Sequence, residues 1–365
     1  MSSFPAWTRE AAPPLPSSVP ARRVEGRISV APMLDWTDRH CRYYLRLFCP
    51  SCVLYTEMVT AAALLHGRDP ERFLVFSQEE HPLVLQLAGD DPSAMARAAA
   101  MGAAYGYDGL NLNVGCPSPK VQAGRFGACL MAAPSLVADL VAAMAETGLP
   151  ISVKHRLGLD REEDYGLLAR FVETVAEAGC RHFIVHARNA WLHGLDPAAN
   201  REIPPLRYAW VHRLKADFPH LRMEINGGVE DVPAILGHLQ RVDGVMIGRA
   251  AYGHPALLAA AERALGRVDW NPSPGSILHG LRLYAEAAGG SLPAPRLARH
   301  LHGLAHGLPG ARHWRRFLAT AHAAESASAF LARAYGVLPS AFWDASFPDA
   351  ATALGSGPQR IRANP

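Results

Sequence analysis

The sequence contains no uncharged run of about 18 strongly apolar residues, so no spanning helix is expected. Its N-terminus lacks the basic start and apolar run of a signal peptide. Cysteine is sparse. The six residues Cys41, Cys49, Cys52, Cys116, Cys129 and Cys180 show no disulfide-framework spacing, and a chain of 365 residues needs no staples. A reducing, cytoplasmic setting is expected. Cys49-Pro-Ser-Cys52 has the C-x-x-C form, but no second pair or histidine cluster completes a zinc site. Both cysteines read as ordinary thiols, and no metal is expected. No Ser/His/Asp arrangement is evident. The formal net charge is only +3, so the total carries little information about partners.

What is present is a recurrence. Short runs rich in Val, Ile and Leu end in small or polar residues, and a helix-like stretch follows each one. The runs are "ISVAPM" (28–33), "VLYTEM" (53–58), "LVLQLAG" (83–89), "GLNLNVGCP" (109–117), "ISVKHRLG" (151–158), "HFIVHAR" (182–188), "MEINGGV" (223–229) and "GVMIGRA" (244–250). Near-continuous apolar strands alternating with amphipathic helices predict a parallel sheet covered on both faces. Eight such units fit a (β/α)8 TIM barrel, class α/β, better than an open sheet. Met33, Glu57, Gln86, Asn113, Cys116, Lys154, Arg156, His186, Arg188, Asn226 and Arg249 all fall at strand ends. In a barrel those ends converge on one mouth, where active sites form.

After Gly253 the strand pattern stops and a small all-helical domain is predicted. The expected division is a loose N-terminal arm at 1–26, a barrel at 27–254, a helical domain at 255–336 and a weakly packed tail at 337–365. Segment 255–336 holds nine arginines against four acidic residues, a balance of +5 that suits a polyanion.

The strand ends suggest chemistry. Asn226-Gly227-Gly228 and Gly248-Arg249 end strands seven and eight, where barrels often seat phosphate on exposed backbone N–H groups. Lys154, with Gln86 and His186, reads either as an ion pair with a carboxylate such as Glu57 or as a cation facing the electron-rich edge of a flavin. Cys116, between Gly115 and Pro117, reads as a buried small residue, a nucleophile, a metal ligand or a proton donor. A general acid beside a hydride donor makes chemical sense of it.

These residues also carry a resemblance. "VAPMLDWTDRHCRYYLRLF", "GLNLNVGCPSPKVQAGRFGACLM", "VKHRLGLD", "FIVHARNAWLHGLDPAANREIPPL", "INGGV" and "GVMIGRAAY" look like the tRNA-dihydrouridine synthases, and the long matches point to the A-type bacterial subfamily. The resemblance covers roughly residues 27–336. It implies FMN, with Pro32, Met33 and Leu34 under the ring, Gln86, Lys154 and His186 on its edge, and Asn226, Gly227, Gly228, Gly248 and Arg249 around the phosphate. It implies NADPH as reductant, hydride transfer to uracil C6 and protonation of C5 by Cys116. Asn113 and Arg156 would hold the uracil. The implied substrate is the D-loop uridine of tRNA, at positions 20 and 20a in the elbow.

Base extrusion is required to reach such a target. Arg312, Arg315 and Arg316 in "RHWRRFL", together with Arg201, are the expected tRNA contacts. In the loop after Cys116, Gly124 and Gly127 are expected to let the segment flex over the base, with Lys120 and Arg125 near phosphates. A monomer is expected. Two rivals stand beside this reading: a flavin-barrel dehydrogenase acting on a free metabolite, and a tRNA-binding folding helper.

Overall fold

A computed structural model describes residues 26–347. The expected arm at 1–26 therefore lies, apart from Gly26, outside the described residues. Eight parallel strands form one sheet: β1 Ile28–Val30, β2 Leu54–Thr60, β3 Leu83–Ala88, β4 Gly109–Val114, β5 Ile151–His155, β6 His182–His186, β7 Arg222–Asn226 and β8 Gly244–Ile247. Sequential strands pair from β2 round to β8, and β8 pairs with β1. A bridge from Ser29 to Val53 completes the ring, with Val30 N donating to Val53 O at 2.9 Å. The fold is the expected TIM barrel followed by a helical region. Glu57, Gln86, Asn113, Lys154, His186 and Asn226 lie within their strands, whereas Met33, Cys116, Arg156, Arg188 and Arg249 fall just beyond the ends of theirs.

Alternation along the strands explains the apolar runs. Leu110, Leu112 and Val114 of β4 join the large core under the helices. Asn111 and Asn113, on the other face, point inside the barrel and bond to Ser152 and Gln86. The barrel interior keeps an apolar layer of Ala31, Val53, Tyr55, Val84, Ile184 and Met246. It also keeps a buried ionic group. Glu224 accepts from Ser29 Oγ at 2.6 Å and lies 3.0 Å from His182 Nε2. The strands are thus more polar on their inner face than a near-continuous apolar run suggests.

The covering helices start and stop on local signals. Helix Pro92–Tyr105 begins at Asp91, whose carboxylate accepts from Ala94 N at 2.8 Å, and ends at Gly106 with φ +88°.

The C-terminal helices pack around the fully buried Trp314, with Phe317 and Phe330 stacked at 4.5 Å. They seat on the barrel through Tyr284, stacked on Tyr43 at 4.2 Å, and through Glu262, which accepts from Ser51 N at 2.8 Å. Cys49 Sγ donates to the same carboxylate at 3.1 Å, so the C-x-x-C thiols are buried junction groups. Ordered packing runs past residue 336. Ser340–Trp343 is helical, and Phe342, Trp343 and Phe347 are buried, with Trp343 edge-on to Trp314 at 5.9 Å. The weakly packed tail expected from 337 is corrected to that extent. Three aromatic side chains outweigh the Pro, Ala and Ser around them; residues 348–365 lie outside the described residues.

Candidate active site at the barrel mouth

A chain of side-chain amides crosses the mouth. Gln86 Nε2 donates to Asn111 Oδ1 at 2.7 Å, and Asn113 Nδ2 donates to Gln86 Oε1 at 2.9 Å. Asn113 Oδ1 then accepts from Gly115 N at 3.2 Å and Cys116 N at 3.0 Å. Asn113 therefore builds the turn that presents Cys116. Arg156 supports it from just beyond β5: Nε donates to Gly115 O at 3.2 Å, and Nη1 donates to Asn189 O at 3.2 Å and Asn200 O at 3.0 Å. Cys116 itself is partly exposed and free.

The segment after Cys116 is more ordered than the flexing loop expected. It forms helix Pro119–Ala123 and a 3-10 turn at Gly127–Ala132. Ala128 N donates back to Cys116 O at 2.9 Å. Gly127, at φ +75°, is required for this approach, since a Cβ there would lie 2.7 Å from Cys116 O. Gly124 makes room for the Phe126 ring, which a Cβ would meet at 2.3 Å. Arg125 is paired with Asp90 at 2.8 Å rather than left free for a phosphate. Lys120 is exposed.

Cations surround the thiol. Lys154, Arg156 and Arg201 all lie within electrostatic range of Cys116. Lys154 makes no ion pair among the described residues. Glu57, the alternative partner considered above, instead accepts from Asp35 N at 2.5 Å. Burial, reinforced by Arg156, pulls the Lys154 ammonium down to about 7. Burial also holds His186 well below its usual range, with Arg156 and Lys154 adding repulsion, so the imidazole is neutral. A partly buried cation without a counter-charge favours an anionic or electron-rich ligand.

The glycine turns supply a cradle. Gly227 and Gly228 have φ +108° and +69°. A Cβ on Gly227 would sit 2.6 Å from the His186 ring, and one on Gly228 would sit 2.7 Å from Tyr208 Oη. Asn226 Nδ2 donates to Met246 O at 2.8 Å and ties β7 to β8. Beyond Gly248 the nearest contacts of an added Cβ are Ala31 at 3.7 Å and Met33 Sδ at 3.9 Å. Pro32 and Met33 are partly buried beside this opening, and Leu34, in the turn after β1, is 63% exposed.

Arg249 is less direct than expected: Nη1 donates to Glu202 Oε1 at 2.9 Å and Nη2 to Arg201 O at 3.4 Å. An anion at the glycines has to compete with Glu202 for it. Arg188 stands closer to the requirement: its Nη1 donates to Glu202 O and Pro204 O, but its buried Nε has no hydrogen-bond partner among the described residues. A flavin mononucleotide fits these features: an unpaired ammonium, a neutral imidazole, an exposed apolar platform, a glycine cradle and an orphaned guanidinium donor.

In the helical region Arg312, Arg315 and Arg316 project from helix Ala311–Leu318 while Trp314, Phe317 and Leu318 are buried. None of the three arginines has a carboxylate partner among the described residues. Arg201 is exposed at the end of the 3-10 turn Ala199–Arg201. Sequence reasoning missed Asn200, a fully buried residue that links Arg156 to the loop after β6. It also missed Gln122, whose Nε2 donates to Pro117 O at 2.9 Å and Leu192 O at 3.1 Å. An asparagine or glutamine in a loop carries no signal of such a partner.

Fold and site together define a (β/α)8-barrel enzyme with a thiol presented in a cationic mouth. Residues 29–337 match the family model described as Dihydrouridine synthase. The chain is 52% identical over 299 residues to the tRNA-dihydrouridine(20/20a) synthase of Escherichia coli strain K12, covering 80% of this chain and 86% of that one. It is 53% identical over 295 residues to the enzyme of the same name from Xanthomonas campestris pv. campestris, covering 80% and 87%. Among solved structures, a 2-naphthoyl-CoA reductase complex aligns with TM-score 0.52 at 10% identity, over 66% of this chain and 50% of that one, a likeness of fold alone. The chain belongs to the dihydrouridine synthase family, and is with it a flavin-dependent oxidoreductase.

Proposed function

We propose that this protein reduces uridine to 5,6-dihydrouridine in the D-loop of tRNA, at positions 20 and 20a, in the cytoplasm, as a monomer, with FMN as cofactor and NADPH as reductant. The observation that carries the reading is the Cys116 turn, fixed by Asn113 and faced by Lys154, Arg156 and Arg201. The names of the relatives supply the substrate and its positions.

FMN would rest on Pro32, Met33 and Leu34, with Gln86, Lys154 and His186 at its polar edge. Its phosphate would lie over Asn226, Gly227, Gly228 and Gly248, with Arg249 and Arg188 in reach. When bound, it supplies hydride to C6 of the uracil. Cys116 Sγ gives its proton to C5, and the surrounding cations stabilise the thiolate left behind. Arg156 has committed Nε and Nη1 to backbone carbonyls, so its Nη2 donors remain for a uracil carbonyl. Asn113 keeps one Nδ2 hydrogen for the same base. The target base must leave the tRNA stack to reach this mouth. Arg312, Arg315 and Arg316, with Arg201, hold the phosphates around it.

The test is mass mapping of dihydrouridine in tRNA from cells lacking the protein, with rescue by the wild type and by Cys116→Ala. Loss of dihydrouridine at 20 and 20a, restored only by the wild type, is expected. Unchanged tRNA in the deletion strain would sink the reading.

A further inference from the structure

Outside the mouth, β5 and β6 continue as a small parallel extension. Leu159 pairs with Ala190, Ala190 N donates to Gly158 O at 2.9 Å, and Asp160 N donates to Ala190 O at 2.7 Å. The extension lifts Arg161 and Trp191 onto the rim, with the Arg161 Cζ atom 5.1 Å from the Trp191 ring centroid. Here lies a cleft of about 360 Å³, walled by Asn189, Trp191 and Pro205. That volume is within the range of small-ligand sites, roughly 300–1,000 Å³.

Three observations describe what the cleft accepts. First, its charge is balanced. Arg161 and Arg207 stand against Asp160 and Glu163, and Arg207 is ion-paired with Glu163. A phosphate gains little there. An uncharged aromatic group gains the indole face and a stacking guanidinium. Second, Asn189 is 94% buried, and its Oδ1 has no hydrogen-bond partner among the described residues. Its Nδ2 is fixed on Glu162 O at 2.7 Å, which leaves the oxygen as an unsatisfied acceptor in the wall of the cleft. Third, the cleft is wired to the thiol. The side chain of Asn200 clamps the Trp191 backbone in both directions at 2.8 Å, and Asn200 O accepts from Arg156 Nη1. Gln122 joins Leu192 O to Pro117 O, next to Cys116.

We infer that this cleft seats the second uridine of the target pair, on Trp191 and Arg161, while its neighbour occupies the mouth. The inference rests on the proposed function: two adjacent substrates require a place for whichever one is not reacting. Base stacking on an aromatic side chain is worth about tenfold or more in affinity.

The experiment is steady-state kinetics and site-resolved mass mapping with Trp191→Ala, Trp191→Phe and Arg161→Gln holoenzymes. Trp191→Ala is expected to raise KM for tRNA about tenfold and to shift the ratio of dihydrouridine at 20 and 20a. FMN content, melting temperature and KM for NADPH should hold, and Trp191→Phe should restore most of the loss. If Trp191→Ala does not fold, the exposed Arg161→Gln gives the same reading. An unchanged tRNA KM and ratio overturns the inference. So does a raised KM for NADPH with tRNA KM unchanged, which assigns the cleft to the reductant's adenine. A wild-type enzyme that makes no dihydrouridine overturns the proposed function as well, so the two failures are distinguishable.

Discussion

The barrel mouth and the helical-domain arginines are both rich in cationic and polar side chains, yet they are built differently. At the mouth, Asn113 and Arg156 are buried and bonded to neighbours on several sides. On helix Ala311–Leu318, Arg312, Arg315 and Arg316 stand exposed without carboxylate partners among the described residues, on a helix anchored by Trp314, Phe317 and Leu318. The contrast separates two tasks. Proton transfer tolerates little positional error, so its groups are fixed by burial and hydrogen bonds. Polyanion binding needs net charge near a backbone and tolerates mobile side chains. Changes at the mouth should therefore act on rate, and changes on the patch on affinity.

The largest effect tests the first half. Cys116→Ala should lower single-turnover dihydrouridine formation by about 10²–10⁴-fold, the usual worth of a positioned general acid. Flavin content and NADPH oxidation should persist. Wild-type product rates would remove Cys116 from the chemistry.

The second half is tested on the patch. Alanine at Arg312, Arg315 and Arg316 together should weaken tRNA binding by about one to two orders of magnitude. It should also lower the slope of log K against log salt by roughly two to three. The rate at saturating tRNA should stay within about twofold. A loss in that rate, with affinity kept, would reverse the comparison.

How much of this contrast the sequence discloses depends on the kind of residue. The eight strands were legible because apolar β-branched runs bounded by polar residues have few other uses. The mouth was legible for the same reason: strand ends converge once a barrel is assumed, which placed Gln86, Lys154, His186 and Asn226 correctly at one end. Partners were not legible. A strand-end Asn113 gives no sign that its carboxamide oxygen caps the Cys116 turn, nor Arg249 that Glu202 holds it. Glycines misled in the loop after Cys116. Gly124 and Gly127 suggest freedom, but each leaves room for a fixed neighbour, Phe126 or Cys116. The burial of Trp343 was hidden because three aromatics in a Pro- and Ala-rich stretch do not establish a period.

A smaller effect sharpens the electrostatics of the mouth. In the ligand-free protein Lys154 is pulled down to about 7, chiefly by burial and then by Arg156. An electron-rich ligand favours the charged ammonium. Below pH 7 that charge is already present, and binding takes up no proton. Above it, each binding event must protonate Lys154, so FMN affinity should fall by up to about tenfold per pH unit. The phosphate does not confuse this range, since its second pKa is about 6. Fluorescence titration of apoprotein between pH 7 and 9 measures the slope. Lys154→Met should flatten it, and an equal slope in that variant would remove Lys154 from the cofactor site.

The smallest effect concerns a residue that belongs to neither region. Arg125 sits between helix Pro119–Ala123 and the 3-10 turn beyond the thiol, at φ +59°, with its guanidinium 2.8 Å from Asp90 and its side chain 84% exposed. Its sequence position suggests a phosphate contact; its pairing suggests a local tie between the β3 and β4 loops. These readings predict different things. If Arg125 serves the local tie, Arg125→Ala should cost no more than about 1 kcal/mol of stability, as exposed ion pairs do, and leave tRNA affinity within about twofold. Asp90→Asn should then behave like Arg125→Ala in thermal melting. If Arg125 instead reaches the RNA, Arg125→Ala should weaken tRNA binding and lower the salt slope by roughly one, while Asp90→Asn, by freeing the guanidinium, should tighten binding. The paired geometry favours the first outcome. It would leave the electrostatic work on tRNA to the helical patch, Arg201 and the exposed Lys120.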